Sequence, residues 1–273
     1  MKPITFDMTP LAKALEMPTA KPNAAPAATR EKRPNLDRVG IFPKHFARNA
    51  GWITMLAHEQ VHALATHVLA RHTEHGMRSV ALTSALAGEG KTTVTLALAE
   101  KLASADKRVL IIDLDTHRGT LTRAAQLETV SGALETSVQK SGSQAFHCYA
   151  TDCKGVSIMP TGRVDARADG VPLLSPDHIL NLTKRALEEH DIVLLDCPPL
   201  LPVADTHVIA DVADSSILVV RAESTPRELL SLALKEFGKD KFFAVVLNRA
   251  RPNNIPYFHE VYGYYRRPAP KPE

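Results

Sequence analysis

The stretch Ala85-Leu86-Ala87-Gly88-Glu89-Gly90-Lys91-Thr92 combines residue types that handle phosphate. Two glycines let the backbone aim its N–H groups at an anion. A lysine supplies a mobile positive charge, and a threonine hydroxyl suits a magnesium ion. Gly88, Glu89, Gly90, Lys91, Thr92 and Thr93 are therefore the expected ATP-binding residues of this segment. Ala85 stands where the common pattern has its first glycine. An apolar run at 79–83 precedes the loop and a helical run at 93–102 follows it. That is the strand–loop–helix setting the motif requires.

Two further segments bring carboxylates. In Val109-Leu110-Ile111-Ile112-Asp113-Leu114-Asp115 an apolar run ends in acids at i and i+2. On a strand both point to one side. In Ile192-Val193-Leu194-Leu195-Asp196-Cys197-Pro198-Pro199 an apolar run again ends in an acid. A site for ATP with Mg2+ needs a phosphate loop, a hydroxyl ligand and acids that hold the ion's water shell. Strand-terminal acids are commonly just polar ends; three of them behind a phosphate loop read as functional.

The chain has five tyrosines, and Tyr257, Tyr262, Tyr264 and Tyr265 fall within nine residues. Arg266-Arg267-Pro268-Ala269-Pro270-Lys271-Pro272 follows them and cannot form regular structure. Beside a phosphate-transfer site these tyrosines are candidate acceptors, each phosphate adding roughly two negative charges. The other reading is that the aromatic rings dock the C-terminus on the body. His58-Glu59-Gln60-Val61-His62 matches the HExxH zinc-protease pattern. Five histidines lie between 58 and 75, which makes a chance match easy, and the segment reads as a packing or subunit-contact helix.

The elements that must position these groups are legible from periodicity. Strands are expected at 79–84, 108–112, 156–159, 192–195, 215–220 and 243–247, and helices at 92–104, 177–189, 205–212 and 226–236. Ser175-Pro176-Asp177 and Thr225-Pro226-Arg227-Glu228 read as helix starts, with Ser175 and Thr225 as N-caps. Ala57, Val61, Leu64 and Val68 recur at helical spacing before the first strand. Alternating strands and helices predict an α/β fold: a doubly wound, mainly parallel sheet of the P-loop NTPase type. Residues 116–155 are less regular.

Residues 1–43 hold seven prolines, and residues 1–50 carry nine Lys/Arg against four Asp/Glu. We expect a flexible basic arm at 1–50, a nucleotide-binding domain with an N-terminal helix at 51–250, and a flexible tyrosine-rich tail at 251–273. Basic ends on an acidic body read as solvated arms, with no nucleic-acid partner expected. Three cysteines, Cys148, Cys153 and Cys197, form no metal-ligand spacing and suit a reducing compartment. No apolar run approaches the ~20 residues of a spanning helix, and the N-terminus lacks a signal-peptide apolar region. The expectation is a cytoplasmic protein.

With these residues in hand the chain resembles the bacterial tyrosine kinases (BY-kinases) of capsule and exopolysaccharide systems. Lys91 to Thr93, the Asp113/Asp115 segment and Asp196-Cys197-Pro198-Pro199 look like that family's Walker A, A′ and B motifs. Leu218-Val219-Val220-Arg221-Ala222, Thr225-Pro226-Arg227-Glu228 and Val245-Val246-Leu247-Asn248 follow in similar order. The resemblance covers about 56–250 and lies within the deviant Walker A ATPases that include MinD and ParA. Those carry a second lysine where this chain has Leu86.

The resemblance implies an ATP- and Mg2+-dependent tyrosine autokinase regulating exopolysaccharide or capsule polymerisation and export. Lys91 would stabilise the transferring phosphoryl group and Asp113 would lie nearest the tyrosine hydroxyl. Thr92, Asp115 and Asp196 would hold Mg2+, the acids through water. Asn248 would lie near the adenine. Tyr257, Tyr262, Tyr264 and Tyr265 would be the phosphoacceptors, reached in a neighbouring subunit. A membrane-embedded polysaccharide chain-length (co-polymerase) adaptor would be the partner, placing the protein peripherally at the inner membrane. The sequence departs from the family at His117, where Arg or Lys is usual, at Ala87 for proline, and at His62 and Ala65, which replace two arginines of the ring-assembly helix. Glu59 keeps that helix's acid. Two alternatives stand beside this reading: a MinD/ParA-like ATPase switch, and a non-catalytic nucleotide-binding subunit of an export complex.

Overall fold

A computed structural model describes residues 38–39, 55–128, 130–138, 146–162, 175–201 and 205–250; the side chains of 38–39, 55–58, 137–138, 205, 207 and 210 are outside that description. All of these belong to one unit, Leu36–Glu273. The tyrosines at 257–265 and nearly all of the arm at 1–50 lie outside the described residues.

The fold is a doubly wound α/β sheet. In chain order it runs β1 (Arg38–Val39), α1 (Met55–His75), β2 (Ser79–Ser84), α2 (Lys91–Ser104) and β3 (Val109–Asp113). It continues with α3 (Thr120–Ala124), α4 (Ala133–Val138), β4 (Tyr149–Thr151), β5 (Val156–Met159) and α5 (Pro176–Glu189). The last elements are β6 (Ile192–Asp196), α6 (Asp205–Val212), β7 (Ser215–Arg221), α7 (Arg227–Phe237) and β8 (Phe242–Asn248). The eight strands order as β1-β4-β5-β3-β6-β2-β7-β8. All pairings are parallel except the antiparallel β4–β5.

The central strands are buried on both faces, as their apolar runs require. Successive side chains alternate between two cores. Val80, Leu82, Ile111, Leu194 and Val219 pack under α1 and α2, against Ala65, Val68, Leu98 and Leu102. Ala81, Leu110, Ile112, Val193 and Leu195 pack on the opposite face against Ile179, Leu182 and Ala186 of α5 and Ile209 of α6. Leu218 and Val220 meet Ala233 and Phe237 of α7 in a third cluster. Each fully buried aliphatic side chain contributes about 1.5–3 kcal/mol.

Two local readings are refined. Ser175 does cap α5, its hydroxyl accepting the His178 N–H at 3.3 Å. Thr225 does not cap α7: Pro226 holds the N-cap position, and the Thr225 hydroxyl reaches Glu89 and the Arg221 carbonyl instead. Within the irregular stretch 116–155 the chain forms α3, α4 and the short strand β4, and Arg38 and Val39 pair with β4 as the edge strand. These elements are two to six residues long, too short for periodicity to reveal.

Candidate functional site

The site gathers at the C-terminal edge of β2, β3 and β6. The register pairs Asp113 of β3 directly with Asp196 of β6, so both strand-terminal acids stand side by side. On the other flank Leu82 of β2 pairs with Asp196, which brings the loop after β2 beside them. The segment after Asp196 continues along that loop: Cys197 N–H donates to the Leu82 carbonyl at 3.0 Å and Leu200 N–H to the Ser84 carbonyl at 2.8 Å. Thr83 Oγ1 donates to the Pro198 carbonyl at 2.8 Å. The two prolines therefore leave no gap in the attachment.

Gly90 sits at φ +97°, in left-handed backbone, immediately before α2. A Cβ there would lie 2.1 Å from Asn248 Nδ2. Both facts demand glycine, and the close approach accompanies the bond that Asn248 Nδ2 donates to the Glu89 carbonyl at 2.8 Å. The helix start that follows places Lys91 and Thr92 in its first turn, where N–H groups lack intrahelical partners.

Lys91 Nζ lies 2.8 Å from Asp115 Oδ2, with both side chains nearly inaccessible. Burial lowers the Lys91 pKa, but Asp196 and Asp115 outweigh it, so the amine is held above its usual range and stays charged. Thr92 Oγ1 donates to Asp196 Oδ2 at 2.7 Å. Asp196 is fully buried, and its other oxygen, Oδ1, has no hydrogen-bond partner. Burial pushes its pKa up, against the pull of Lys91.

Asp113 is equally buried, and its carboxylate is engaged. Oδ2 accepts from Thr122 N–H at 2.8 Å and from Thr122 Oγ1 at 2.7 Å, and Oδ1 accepts from Asp115 N–H at 3.1 Å. Burial pushes its pKa up as well. Asp115 Oδ1 accepts from Arg118 N–H at 3.0 Å, which leaves the His117 and Arg118 side chains at the exposed rim. Thr93 is exposed one residue beyond Thr92.

A magnesium ion fits this chemistry. Hard oxygen donors, a threonine hydroxyl and an unpartnered buried carboxylate oxygen are what it takes, with water completing the shell. Among the described residues no three His, Cys, Asp or Glu side chains form a ready metal cluster. On α1, Glu59 and His62 are exposed.

Residues to which the sequence assigned no role in the site also belong here. Thr122 orients Asp113, and Thr225 holds Glu89. A cleft of about 440 Å³ beyond the loop is lined by Arg221, Ala222, Glu223, Ser224 and Arg249. The one advance signal was Glu89 itself, an acid inside an anion-binding loop that must find donors elsewhere.

The fold is that of a P-loop NTPase. A family model described as an AAA domain matches residues 77–238. The chain is 31% identical over 209 residues to tyrosine-protein kinase YwqD of Bacillus subtilis (strain 168), covering 76% of this chain and 85% of that protein. It is 30% identical over 181 residues to the succinoglycan biosynthesis transport protein ExoP of Rhizobium meliloti (strain 1021), covering 65% of this chain but only 23% of ExoP. The kinase domain of Escherichia coli tyrosine kinase ETK superimposes with a TM-score of 0.65 at 26% identity, over 82% of this chain and 86% of that one. The chain belongs to the bacterial tyrosine-protein kinase family.

Proposed function

We propose that this chain transfers the γ-phosphoryl group of ATP to tyrosine, with Tyr257, Tyr262, Tyr264 and Tyr265 of a neighbouring copy as acceptors. The observation that carries the reading is the meeting of Lys91 with Asp115 and of Thr92 with Asp196 at one sheet edge. Lys91 stabilises charge on the phosphoryl group in transfer. The tyrosine oxygen forms a bond to the γ-phosphorus, the bond from that phosphorus to the β–γ bridging oxygen breaks, and ADP leaves. The phenolic proton passes to a site carboxylate and then to solvent. Mg2+, when bound through Thr92, Asp115 and Asp196, neutralises charge on the phosphates. Asp113 acts next to these groups and, through Thr122 and Asp115, sets their backbone. Asn248 sits between the loop and the cleft at Arg221 and Arg249, which suits the nucleoside end of ATP.

The name of ExoP supports a role in polysaccharide export, with regulation by tail phosphorylation and a membrane-embedded co-polymerase adaptor as partner. Among the described residues no helix is long and apolar enough to cross a membrane, which fits action at the membrane's cytoplasmic face through that adaptor. Leu86, where MinD and ParA carry a lysine, packs into the apolar cluster with Ala85, Leu200 and Leu218, which favours the kinase reading over an ATPase switch.

One observation favours a second reading. His117 takes the place of a fixed cation at the exposed rim, as a non-catalytic nucleotide-binding subunit would allow. Intact mass of the full chain, before and after incubation with Mg2+ and ATP, tests both. Additions in phosphate steps mapping to 257–265 and absent from Lys91→Met support the kinase. ATP binding with no additions, even with the adaptor's cytoplasmic segment present, supports the second.

A further inference from the structure

Glu89 puts a carboxylate inside a loop whose task is to hold a polyanion. Facing the phosphates it would repel them. The structure turns it the other way. The residue is 3% exposed, and Glu89 Oε2 accepts from Leu86 N–H at 2.9 Å, at the start of the same loop. Glu89 Oε1 accepts from Arg221 N–H at 3.5 Å and from the Thr225 hydroxyl. The main-chain oxygen of Glu89 accepts from Asn248. One residue thus ties the phosphate loop to itself, to the end of β7 and to the end of β8. The end of β7 and the turn after it also wall the cleft, at Arg221 and Ser224.

We infer that Glu89 and Thr225 form a clamp that holds the phosphate loop in its nucleotide-binding shape. The negative charge of Glu89 is what gives the clamp its strength, because hydrogen bonds to an ionised acceptor are roughly twice as strong as neutral ones. Glu89 and Thr225 are positioning residues: they act on ATP through the loop's N–H groups and through Lys91. The inference rests on the site binding a nucleotide, not on transfer to tyrosine.

The test uses the full chain and ADP with Mg2+, read by calorimetry, with Thr225→Val, Thr225→Ser, Glu89→Gln and the double variant Glu89→Gln/Thr225→Val. Thr225→Val and Glu89→Gln each weaken ADP binding about tenfold, while Thr225→Ser, which keeps the hydroxyl, stays within about twofold of the parent. The double variant loses less than the product of the two single losses, since both changes weaken the shared Glu89–Thr225 contact. Unchanged affinity in Thr225→Val overturns the clamp. So do multiplicative losses in the double variant, or a Thr225→Ser protein as weak as Thr225→Val. A parent protein that binds ADP normally but transfers no phosphate from ATP, even with the adaptor's cytoplasmic segment present, overturns the kinase reading and leaves the clamp standing. A parent that binds no ADP removes the nucleotide site and the clamp together.

Discussion

The Lys91 ammonium and the Asp115 carboxylate meet at 2.8 Å in a pocket where the two side chains are 10% and 1% accessible. Asp196 lies close enough to hold the amine charged as well. Lys91 is thereby held among acids, in the first turn of α2, where main-chain N–H groups lack intrahelical partners. Lys91→Met is expected to lower phosphate incorporation by about a hundredfold or more, the scale of removing one preorganised charge at a transfer site. Mass spectrometry after incubation with Mg2+ and ATP reads this, and incorporation within tenfold of the parent would refute the assignment.

Asp196 holds Thr92 with one oxygen and leaves the other unpartnered. Asp196→Asn is expected to raise the Mg2+ concentration needed for half-maximal transfer about tenfold or more, because a neutral amide is a poor magnesium ligand. ADP binding without Mg2+ should change by less than about threefold. An unchanged Mg2+ titration would show that the orphan oxygen serves no ion.

Thr122 donates twice to Asp113, once from its N–H and once from its hydroxyl. Thr122→Val keeps the shape and removes one donor to a buried carboxylate. The expected cost is about 1–3 kcal/mol of stability, measured by denaturant unfolding. Transfer should fall less than in Lys91→Met, since Asp113 keeps two other donors.

Arg108 and Asp191 pair at the opposite end of the sheet, at 2.7 Å, with a backbone bond from Arg108 N–H to the same carboxylate. The Arg108 hydrogen bond pulls the Asp191 pKa from 3.8 down to about 2. A depressed folded-state pKa gives stability that is fully present above 3.8 and is lost as the pH falls through about 2. The pair is 54% and 29% accessible, so solvent screening reduces its worth to about 1 kcal/mol. Asp191→Asn should therefore lower stability at pH 7 by about that amount. The gap between variant and parent should close in acid as the parent's carboxylate is protonated. A gap that stays constant down to pH 2 would refute the assignment.

The long elements and the main site were legible because each leaves a local trace. β2, β3 and β6 are unbroken apolar runs, and Lys91, Asp113 and Asp196 stand at their ends or one turn beyond. What stayed hidden depends on contacts between distant residues. Thr225 carried every local sign of an N-cap, yet its hydroxyl serves Glu89, 136 positions away. Asp113 reads as a functional strand-terminal acid, and only the path of the chain through Thr122 and Asp115 shows its oxygens taken. Tyr149 to Thr151 form a strand because β5 and Arg38–Val39 flank them, not because three residues announce one.

The pairing of Asp113 with Asp196 across β3 and β6 has an evolutionary consequence. Strand neighbours are separated by about 4.8 Å, and a slip of one residue would turn every side chain to the wrong face. The spacing of these two acids is thus a property of the lattice of main-chain bonds, which selection cannot adjust in small steps. Rim residues such as His117 and Arg118 obey no such lattice. Substitutions along that rim would leave the spacing of the two buried acids as it is.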